Sequence, residues 1–221
     1  GEKNARFALI GPAGEKLVRY ACVINDLKHA AGRTGLGAVM GSKKLKCVVA
    51  RGTTPVPVAD KEGVAALAKF MTTNWKDMAY SMHELGPPGG LTGLHKQGKL
   101  PTRNFQDGQF EGNELIGGEA LRDTLLIDRG GCYACPIRCK RVVEVDDADY
   151  KVDPIYGGPE YETLGSFGSV CGVDDLRAIC KANEVCNAYG LDTISAGMVV
   201  AFAMECFENE LLSVEDTDGL E

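Results

Sequence analysis

Three cysteines in one short loop constrain this chain more than any other feature of its sequence. Cys132, Cys135 and Cys139 follow a C-x2-C-x3-C spacing, with glycines before them and a proline in the turn. Thiolates are soft ligands, and iron–sulfur clusters are held by them. A loop with gaps of two and three residues can reach three corners of a cubane cluster. The fourth ligand would then come from elsewhere.

Structural zinc and plain packing are the two alternatives to an iron–sulfur cluster at this loop. Zinc sites usually take paired ligands, in which one C-x2-C pair is answered by a second pair. The sequence contains no second pair of that kind. The spacing therefore favours an iron–sulfur cluster over zinc, and over cysteines that only fill space.

Composition narrows the class of protein. The chain has 221 residues and nine cysteines, an odd number with three of them in one loop. A secreted disulfide framework would be even and more dispersed, so we predict a reducing, cytoplasmic location. The net charge of −7 argues against nucleic-acid binding. No apolar run approaches the length of a membrane span, so no membrane association is expected.

The chain changes character near residue 53. Apolar runs at 6–10 and 16–24 flank a Gly/Pro turn and predict a β-hairpin, and 45–50 predicts a further strand. The proline-containing run 53–58 predicts a linker, after which helical periodicity begins. The later elements are predicted to be a helix from Asp60 to about Thr73, a helix over 113–127 capped by Asn113, a strand over 141–145, a helix from Asp174 or Asp175 to Tyr189, and a helix from Ile194 to about Glu208.

A glycine-rich run over 31–43 is the first candidate ligand-binding segment. Four glycines there would let the backbone approach a ligand closely, and Arg33 and Lys43 add positive charge suited to phosphate. The run matches neither the dinucleotide G-x-G-x-x-G pattern nor a Walker loop. A tight structural turn is an equally good interpretation of the spacing alone.

Two carboxylates form the second candidate site. Glu160 and Glu162 stand beside a glycine-rich helix start, where a desolvated carboxylate can act as a general base. The alternative is structural, because glutamate near a helix N-terminus is favoured by the helix dipole. Among the cysteines outside the loop, we expect Cys22, Cys47, Cys180 and Cys186 to be packed in the interior.

Four segments, in order, resemble one family. The run 31–46, Ala-Gly-Arg-Thr-Gly-Leu-Gly-Ala-Val-Met-Gly-Ser-Lys-Lys-Leu-Lys, is similar to the A-G-R-x-G-x-G-A-V-M-G-S-K-x-L-K run of aldehyde ferredoxin oxidoreductases, which are tungsten-pterin enzymes. The cysteine loop, 158–163 and 187–193 resemble later motifs of that family. The resemblance covers nearly the whole chain.

The resemblance implies an α+β fragment. Residues 1–52 would be the end of the N-terminal β domain that lies under the pterins, and 53–221 would be most of the first, mainly α-helical domain. The C-terminal helical domain of the family would be absent, so we interpret the chain as an internal piece. That domain would supply the fourth cluster cysteine, for which Cys171, Cys180, Cys186 and Cys206 are not obvious substitutes.

The resemblance also implies cofactors and their ligands. These are a bis-pterin tungsten (or molybdenum) centre, a neighbouring [4Fe–4S] cluster held by Cys132, Cys135 and Cys139, and a magnesium ion that bridges the pterin phosphates. One of Glu160 and Glu162, with Glu162 favoured, would handle a proton near the metal.

The same resemblance assigns the pterin-binding residues. Arg33 would meet a pterin or its phosphate, and the carbonyl of Thr34, beside Gly35, would help hold the magnesium. The family's D-x-x-G-L-D motif would hold one pterin; its positions here are Asn187, Gly190, Leu191 and Asp192, with Asn in place of the first Asp.

The implied activity is oxidation of an aldehyde to a carboxylic acid, with electrons passing through the cluster to ferredoxin. A homodimer is possible. A tungsten-containing aromatic acyl-CoA reductase subunit of the same family fits the same motifs. A non-catalytic iron–sulfur electron-transfer module would need a fourth cysteine within the chain, and a zinc-stabilised binding module would be separated by metal analysis.

Overall fold

The computed structural model describes residues 4–220, in which a small β-rich part precedes a mostly helical part. This arrangement confirms the predicted α+β fold. Residues 1–3 and 221, the outer ends of the two predicted domains, lie outside the described range. None of the helices within residues 4–220 is both long enough and apolar enough to cross a membrane.

The first part is built on a four-stranded antiparallel sheet with the order β3-β2-β1-β4. Its strands are β1 (Arg6–Ile10), β2 (Val23–Asn25), β3 (His29–Ala31) and β4 (Cys47–Ala50). Two short helices accompany them, α1 (Pro12–Glu15) and α2 (Leu36–Ser42).

The predicted hairpin over 6–24 is only partly right. β1 does pair with the second run, with Leu9 opposite Ile24, but the connection is not a tight turn. Pro12 starts helix α1 instead, because its fixed φ suits the first position of a helix and its missing N–H is not needed there. The strand in the second run is consequently confined to Val23–Asn25.

A segment without regular structure, 51–60, connects the sheet to helix α3 (Lys61–Leu85). The predicted cap is confirmed, because the Asp60 side chain accepts a hydrogen bond from the Gly63 N–H at 2.8 Å. The helix runs well past Thr73 and ends at Gly86, whose φ of 65° and ψ of −167° are accessible essentially only to glycine. The division into two domains near residue 53 stays a prediction.

The rest of the helical part is assembled from short elements around two long helices. The helices are α4 (Leu91–Lys96), α5 (Asn113–Ile116), α6 (Gly118–Thr124), α7 (Tyr161–Leu164), α8 (Leu176–Tyr189) and α9 (Thr193–Glu208). Two small hairpins lie between α6 and α7, formed by β5 (Leu126–Gly130) with β6 (Lys140–Val143) and by β7 (Val145–Asp146) with β8 (Lys151–Val152).

The single helix predicted over 113–127 is wrong. Gly117 has an extended ψ of 176° that separates α5 from α6, and the last residues join strand β5. Asn113 lies inside α5 and is not its cap; its side chain donates to the Phe110 carbonyl at 2.9 Å. The adjacent glycines at 117 and 118 lower the free-energy cost of this break, because glycine has a low propensity for a continuous helix.

The two long C-terminal helices follow the sequence prediction. Asp175 caps α8 through the Arg177 N–H, and Gly190 ends it in the left-handed conformation. Asp192 caps α9, which begins at Thr193. The predicted core cysteines Cys22, Cys180 and Cys186 are buried, whereas Cys47 is only half-buried.

A backbone junction joins the sheet part to the end of α8. The Cys22 N–H donates to the Gly190 carbonyl at 2.8 Å, and the Asp192 N–H donates to the Tyr20 carbonyl at 3.0 Å. Gly11 packs so tightly here that a Cβ on it would lie 2.2 Å from the carbonyl oxygen of Tyr189. The segment after α8 is therefore held directly on the sheet.

Gly11→Ala should destabilise the protein because its Cβ has no room against backbone. Overpacking of this kind costs roughly 1–3 kcal/mol, which corresponds to a fall in Tm of several degrees, measured by thermal unfolding. Gly93→Ala is the matched control, since a Cβ there, inside α4, meets nothing within 4 Å. Equal Tm values for the two variants would contradict the tight junction.

Candidate functional site

The cysteine loop connects strands β5 and β6, whose register ends with Gly130 opposite Lys140. Cys132 is exposed, whereas Cys135 and Cys139 are half-buried. The Cys135 N–H donates to the Cys132 carbonyl at 3.1 Å. Within residues 4–220, no three His, Cys, Asp or Glu side chains are gathered closely enough to hold a metal ion. The structure thus places the three predicted ligands on one loop but does not converge their side chains.

Arg141 ties this loop to the end of helix α3. Its side chain is 2% exposed, and its guanidinium donates to four carbonyl groups. Two of these acceptors lie at the end of α3 and two lie in the loop: His83 at 2.9 Å, Glu84 at 2.8 Å, Arg138 at 3.1 Å and Cys139 at 3.1 Å. The last carbonyls of a helix have no intrahelical partner, so Arg141 satisfies them while it fixes the loop.

Three further contacts hold the cysteine loop against the end of α3. His83 Nδ1 lies 2.7 Å from the Ile137 carbonyl oxygen. Arg129 donates to the His83 carbonyl at 3.0 Å and forms an ion pair with Glu84 at 3.1 Å. A Cβ on Gly86 would lie 2.8 Å from the Cys139 carbonyl oxygen, so the chain can turn against the loop only with glycine at this position.

Burial and neighbouring charges shift the pKa of two groups where the loop meets the end of α3. Burial, and then the charge of Arg129, lower the pKa of Arg141. Burial, and then the Glu160 carboxylate, raise the pKa of the Cys139 thiol. A thiol in this position favours its protonated form until a cation or metal compensates the thiolate charge.

A cavity of about 240 Å³ lies beside the loop, between the sheet and the helical part. Five of the predicted site residues line it: Glu160, Glu162, Asn187, Leu191 and Asp192. Lys28 and Lys140 add two cations to its wall. Because Lys140 directly follows Cys139 in the chain, the cavity and the cysteine loop are immediate neighbours.

The two glutamates in the cavity have different environments. The Glu160 carboxylate forms an ion pair with Lys140 at 2.5 Å, with both side chains about a quarter exposed. Glu162 lies in the first turn of α7 and is exposed, and no ion pair or hydrogen bond of its side chain is found within the described part of the chain. Helix α7 continues as a π-helical turn, Gly165–Ser169, a distortion that is frequent at functional sites.

Asp192 organises one wall of the cavity. It is 5% exposed, and its carboxylate accepts hydrogen bonds from the Ser195 N–H at 3.1 Å and hydroxyl at 2.5 Å. It also forms an ion pair with Arg33 Nε at 3.3 Å, which brings the exposed Arg33 side chain to the edge of the cavity. Asn187, which also lines the cavity, donates to the Tyr156 carbonyl at 2.9 Å.

Thr34 and Gly35 do not line the cavity, but their backbone is unusual. Both have left-handed φ values, 75° for Thr34 and 72° for Gly35. A Cβ on Gly35 would lie 2.3 Å from the Arg19 carbonyl oxygen. A β-branched residue such as threonine rarely adopts positive φ, and such strain is typical of functional backbone positions. Gly190 also stays behind the cavity wall, where it ends α8.

Sequence reasoning predicted Arg33 but missed three other basic residues of the site, Lys28, Lys140 and Arg141. Lys140 and Arg141 follow Cys139 directly, and a cation next to a thiolate loop was the available signal for Lys140. Lys28 and Arg141 had no comparable signal. The partners of Arg141 are main-chain carbonyls at the end of a helix remote in sequence, and such contacts leave no spacing pattern.

Comparisons with known proteins converge on one group. A family model described as aldehyde ferredoxin oxidoreductase, domains 2 and 3, matches residues 64–221, and one described as the N-terminal domain matches residues 1–52. The tungsten-containing aldehyde ferredoxin oxidoreductase of Thermococcus kodakarensis is 40% identical over 98% of this chain and 35% of its own length. The chain therefore spans about a third of the length of the curated relatives it matches.

Two further similarities are to proteins that are named for other reactions. The WOR-like subunit of the aliphatic sulfonate oxidoreductase of Pyrococcus furiosus is 33% identical over 97% of this chain and 34% of its own length. The structure of the active site complex BamBC of benzoyl coenzyme A reductase, with 1,5-dienoyl-CoA, matches with a TM-score of 0.72 and 25% identity. That match covers 100% of this chain and 35% of the other.

Thiol labelling should separate the loop cysteines from the core cysteines in metal-free protein. Burial raises the pKa of four thiols, to about 11 in Cys22 and Cys171 and to about 12 in Cys180 and Cys186. At pH 8 these groups are protonated and enclosed, so alkylation followed by mass spectrometry should modify exposed Cys132 at least about tenfold faster. Unfolded protein is the control. Equal labelling of Cys180 and Cys132 in folded protein would contradict the burial.

Proposed function

Because the chain belongs to the aldehyde ferredoxin oxidoreductase family, we propose that it is part of an enzyme that oxidises aldehydes to carboxylic acids at a tungsten–pterin centre. Electrons leave through a [4Fe–4S] cluster to ferredoxin. The observation that carries this proposal is the cavity where Glu160, Glu162 and the 187–192 motif meet, next to the cysteine loop.

The residues of the cavity suit part of a pterin cofactor. The cavity volume of about 240 Å³ is below the roughly 300–1,000 Å³ usual for small-molecule sites. Polypeptide outside this segment would therefore complete the site. Lys28 lines the cavity and can pair with an anionic phosphate-bearing ligand, whereas Lys140 and Arg33 are already paired with Glu160 and Asp192. The Asp192 carboxylate acts by holding Arg33 and the start of α9 in place.

The left-handed backbone at Thr34 supports the proposed magnesium contact. A strained conformation at a β-branched residue persists only where the surrounding structure enforces it, and Gly35 is packed against the Arg19 carbonyl. The Thr34 carbonyl would help to hold a magnesium ion that accompanies the pterin phosphates. Residues 1–52 would then belong to the base domain of the enzyme, and 53–221 would be most of its first helical domain.

Glu162 is the better candidate for the proton-handling group. Bound tungsten, or molybdenum, would supply the two-electron chemistry, while the protein contributes positioning and proton transfer. Glu160 is engaged by Lys140 and stays an anionic partner of that lysine. Glu162 is free of partners in the described structure and faces the same cavity, so its carboxylate can accept a proton from substrate or water.

The cysteine loop supplies three of the four thiolates that a [4Fe–4S] cluster needs. Cys132, Cys135 and Cys139 lie on a loop whose base is fixed by Arg141 and whose backbone turns left-handed at Ala134 and Arg138. The fourth thiolate would come from chain outside this segment. Ferredoxin would accept the electrons from this cluster. We further propose that the enzyme works in the cytoplasm and assembles as a homodimer.

A second candidate function is reduction of an aromatic acyl-CoA by a subunit of the same family. The structural similarity to the benzoyl coenzyme A reductase complex, with a TM-score of 0.72, favours it. The two functions share the cavity and the cluster loop and differ in substrate. An assay of the full-length protein with aldehydes and with aromatic acyl-CoA esters separates them.

Replacing Glu162 by Gln in the full-length enzyme should lower kcat about a hundredfold or more, because the variant keeps the shape but cannot accept the proton. Aldehyde-dependent reduction of ferredoxin, normalised to tungsten content, measures the change. Glu160→Gln is the matched control and should cause a smaller loss, since it removes only the partner of Lys140. Full turnover of Glu162→Gln with intact tungsten would rule out this role.

Full-length protein isolated without oxygen should contain iron, sulfide and tungsten or molybdenum. Cys132→Ser should abolish the cluster's EPR signal because it removes one of the proposed thiolate ligands. Tyr133→Ser is the control, since this neighbouring side chain is 96% exposed and has no ligand role. Wild-type protein that holds zinc at the loop, or a normal EPR signal in Cys132→Ser, would overturn the cluster assignment.

A further inference from the structure

Arg141 carries a buried positive charge that forms no ion pair with any carboxylate of residues 4–220. Its guanidinium is enclosed, and all its contacts in the described structure are hydrogen bonds to carbonyl groups, with no ion pair. An uncompensated buried charge is costly, so its presence in the interior calls for an explanation. The partial negative charge at the C-terminus of α3 compensates it only in part.

The other cations around the loop are already paired. Arg129 pairs with Glu84 at 3.1 Å, Arg138 with Asp128 at 3.3 Å and Lys140 with Glu160 at 2.5 Å. All three cations have more exposed side chains than Arg141, and Arg138, which is half exposed, is the best screened by solvent. Arg141 is therefore the one buried cation at the loop without a carboxylate partner among the described residues.

We propose that Arg141 is a positioning residue for the iron–sulfur cluster of the proposed function, and that its charge raises the cluster's reduction potential. It donates to the carbonyls of Arg138 and Cys139, so its charge is fixed beside the third cysteine. A cluster with thiolate ligands is anionic and becomes more negative when it accepts an electron. A fixed cation in a buried site stabilises the reduced form.

Two variants of the full-length enzyme separate charge from anchoring. Arg141→Gln keeps some hydrogen-bond donors and removes the charge, whereas Arg141→Lys keeps the charge and loses the fork of donors. EPR-monitored redox titration should show a potential at least about 59 mV lower in Arg141→Gln, a tenfold shift for a one-electron couple. Arg141→Lys should recover most of that shift. Both variants should have a lower Tm, because both lose contacts.

Arg138→Met is the matched control. It removes the same charge from the residue before Cys139, but this side chain is half exposed and paired with Asp128. The equilibrium constant for reduction of the cluster should change less than about twofold in this variant, because solvent screens the Arg138 charge. A Gln variant that keeps its iron and its wild-type potential, or an equal shift in Arg138→Met, would overturn the inference.

If Arg141→Gln loses its iron, a second variant, Glu84→Gln, tests the electrostatic effect on the cluster. Glu84→Gln leaves the Glu84 carbonyl that accepts from Arg141 and removes the carboxylate that neutralises Arg129. The potential should then rise, and an unchanged potential would overturn electrostatic control from this end of α3. If wild-type protein held no iron, the proposed function itself would fail, whereas a wild-type cluster unaffected by these variants would refute only the role of Arg141.

Discussion

The structure depends on the pairing of a short segment after α8 with the first sheet. Gly190–Asp192 hydrogen-bonds to Tyr20–Cys22, and Gly11 allows the two backbones to approach. This junction sets the position of Asp192, which in turn caps α9 and holds Arg33. One wall of the cavity is therefore positioned first by backbone hydrogen bonds, and the Asp192 side chain then completes it.

Charged side chains hold another part of the cavity wall. Arg141 fixes the cysteine loop on the end of α3, and the next residue towards the loop, Lys140, reaches into the cavity to meet Glu160. Two adjacent residues thus serve the two regions of the proposed enzyme: Lys140 lines the cavity, and Arg141 holds the cysteine loop. In that enzyme, this proximity would suit short-range electron transfer between the cavity and the loop.

Local signals in the sequence predicted the parts of the fold that local interactions decide. Asp60, Asp175 and Gly190 are caps whose chemistry acts within one turn, and the helix ends that they mark were placed well, whereas the far end of α3 was predicted about three turns too early. The strand pairing after β1 was right but its tight turn was not, because Pro12 starts a helix, and the single helix over 113–127 was wrong, because Gly117 breaks it. The family resemblance found the cavity residues, whereas Arg141 and its remote carbonyl partners had no signature in the sequence.

The pairing of Gly190–Asp192 with Tyr20–Cys22 also orders events during biosynthesis. The two segments are remote in sequence, so the ribosome releases the sheet long before its last partner emerges. Until that partner arrives the cavity has only one wall and offers no enclosed site. A cofactor held in this cavity, as in the proposed function, would consequently bind only after the two segments have joined.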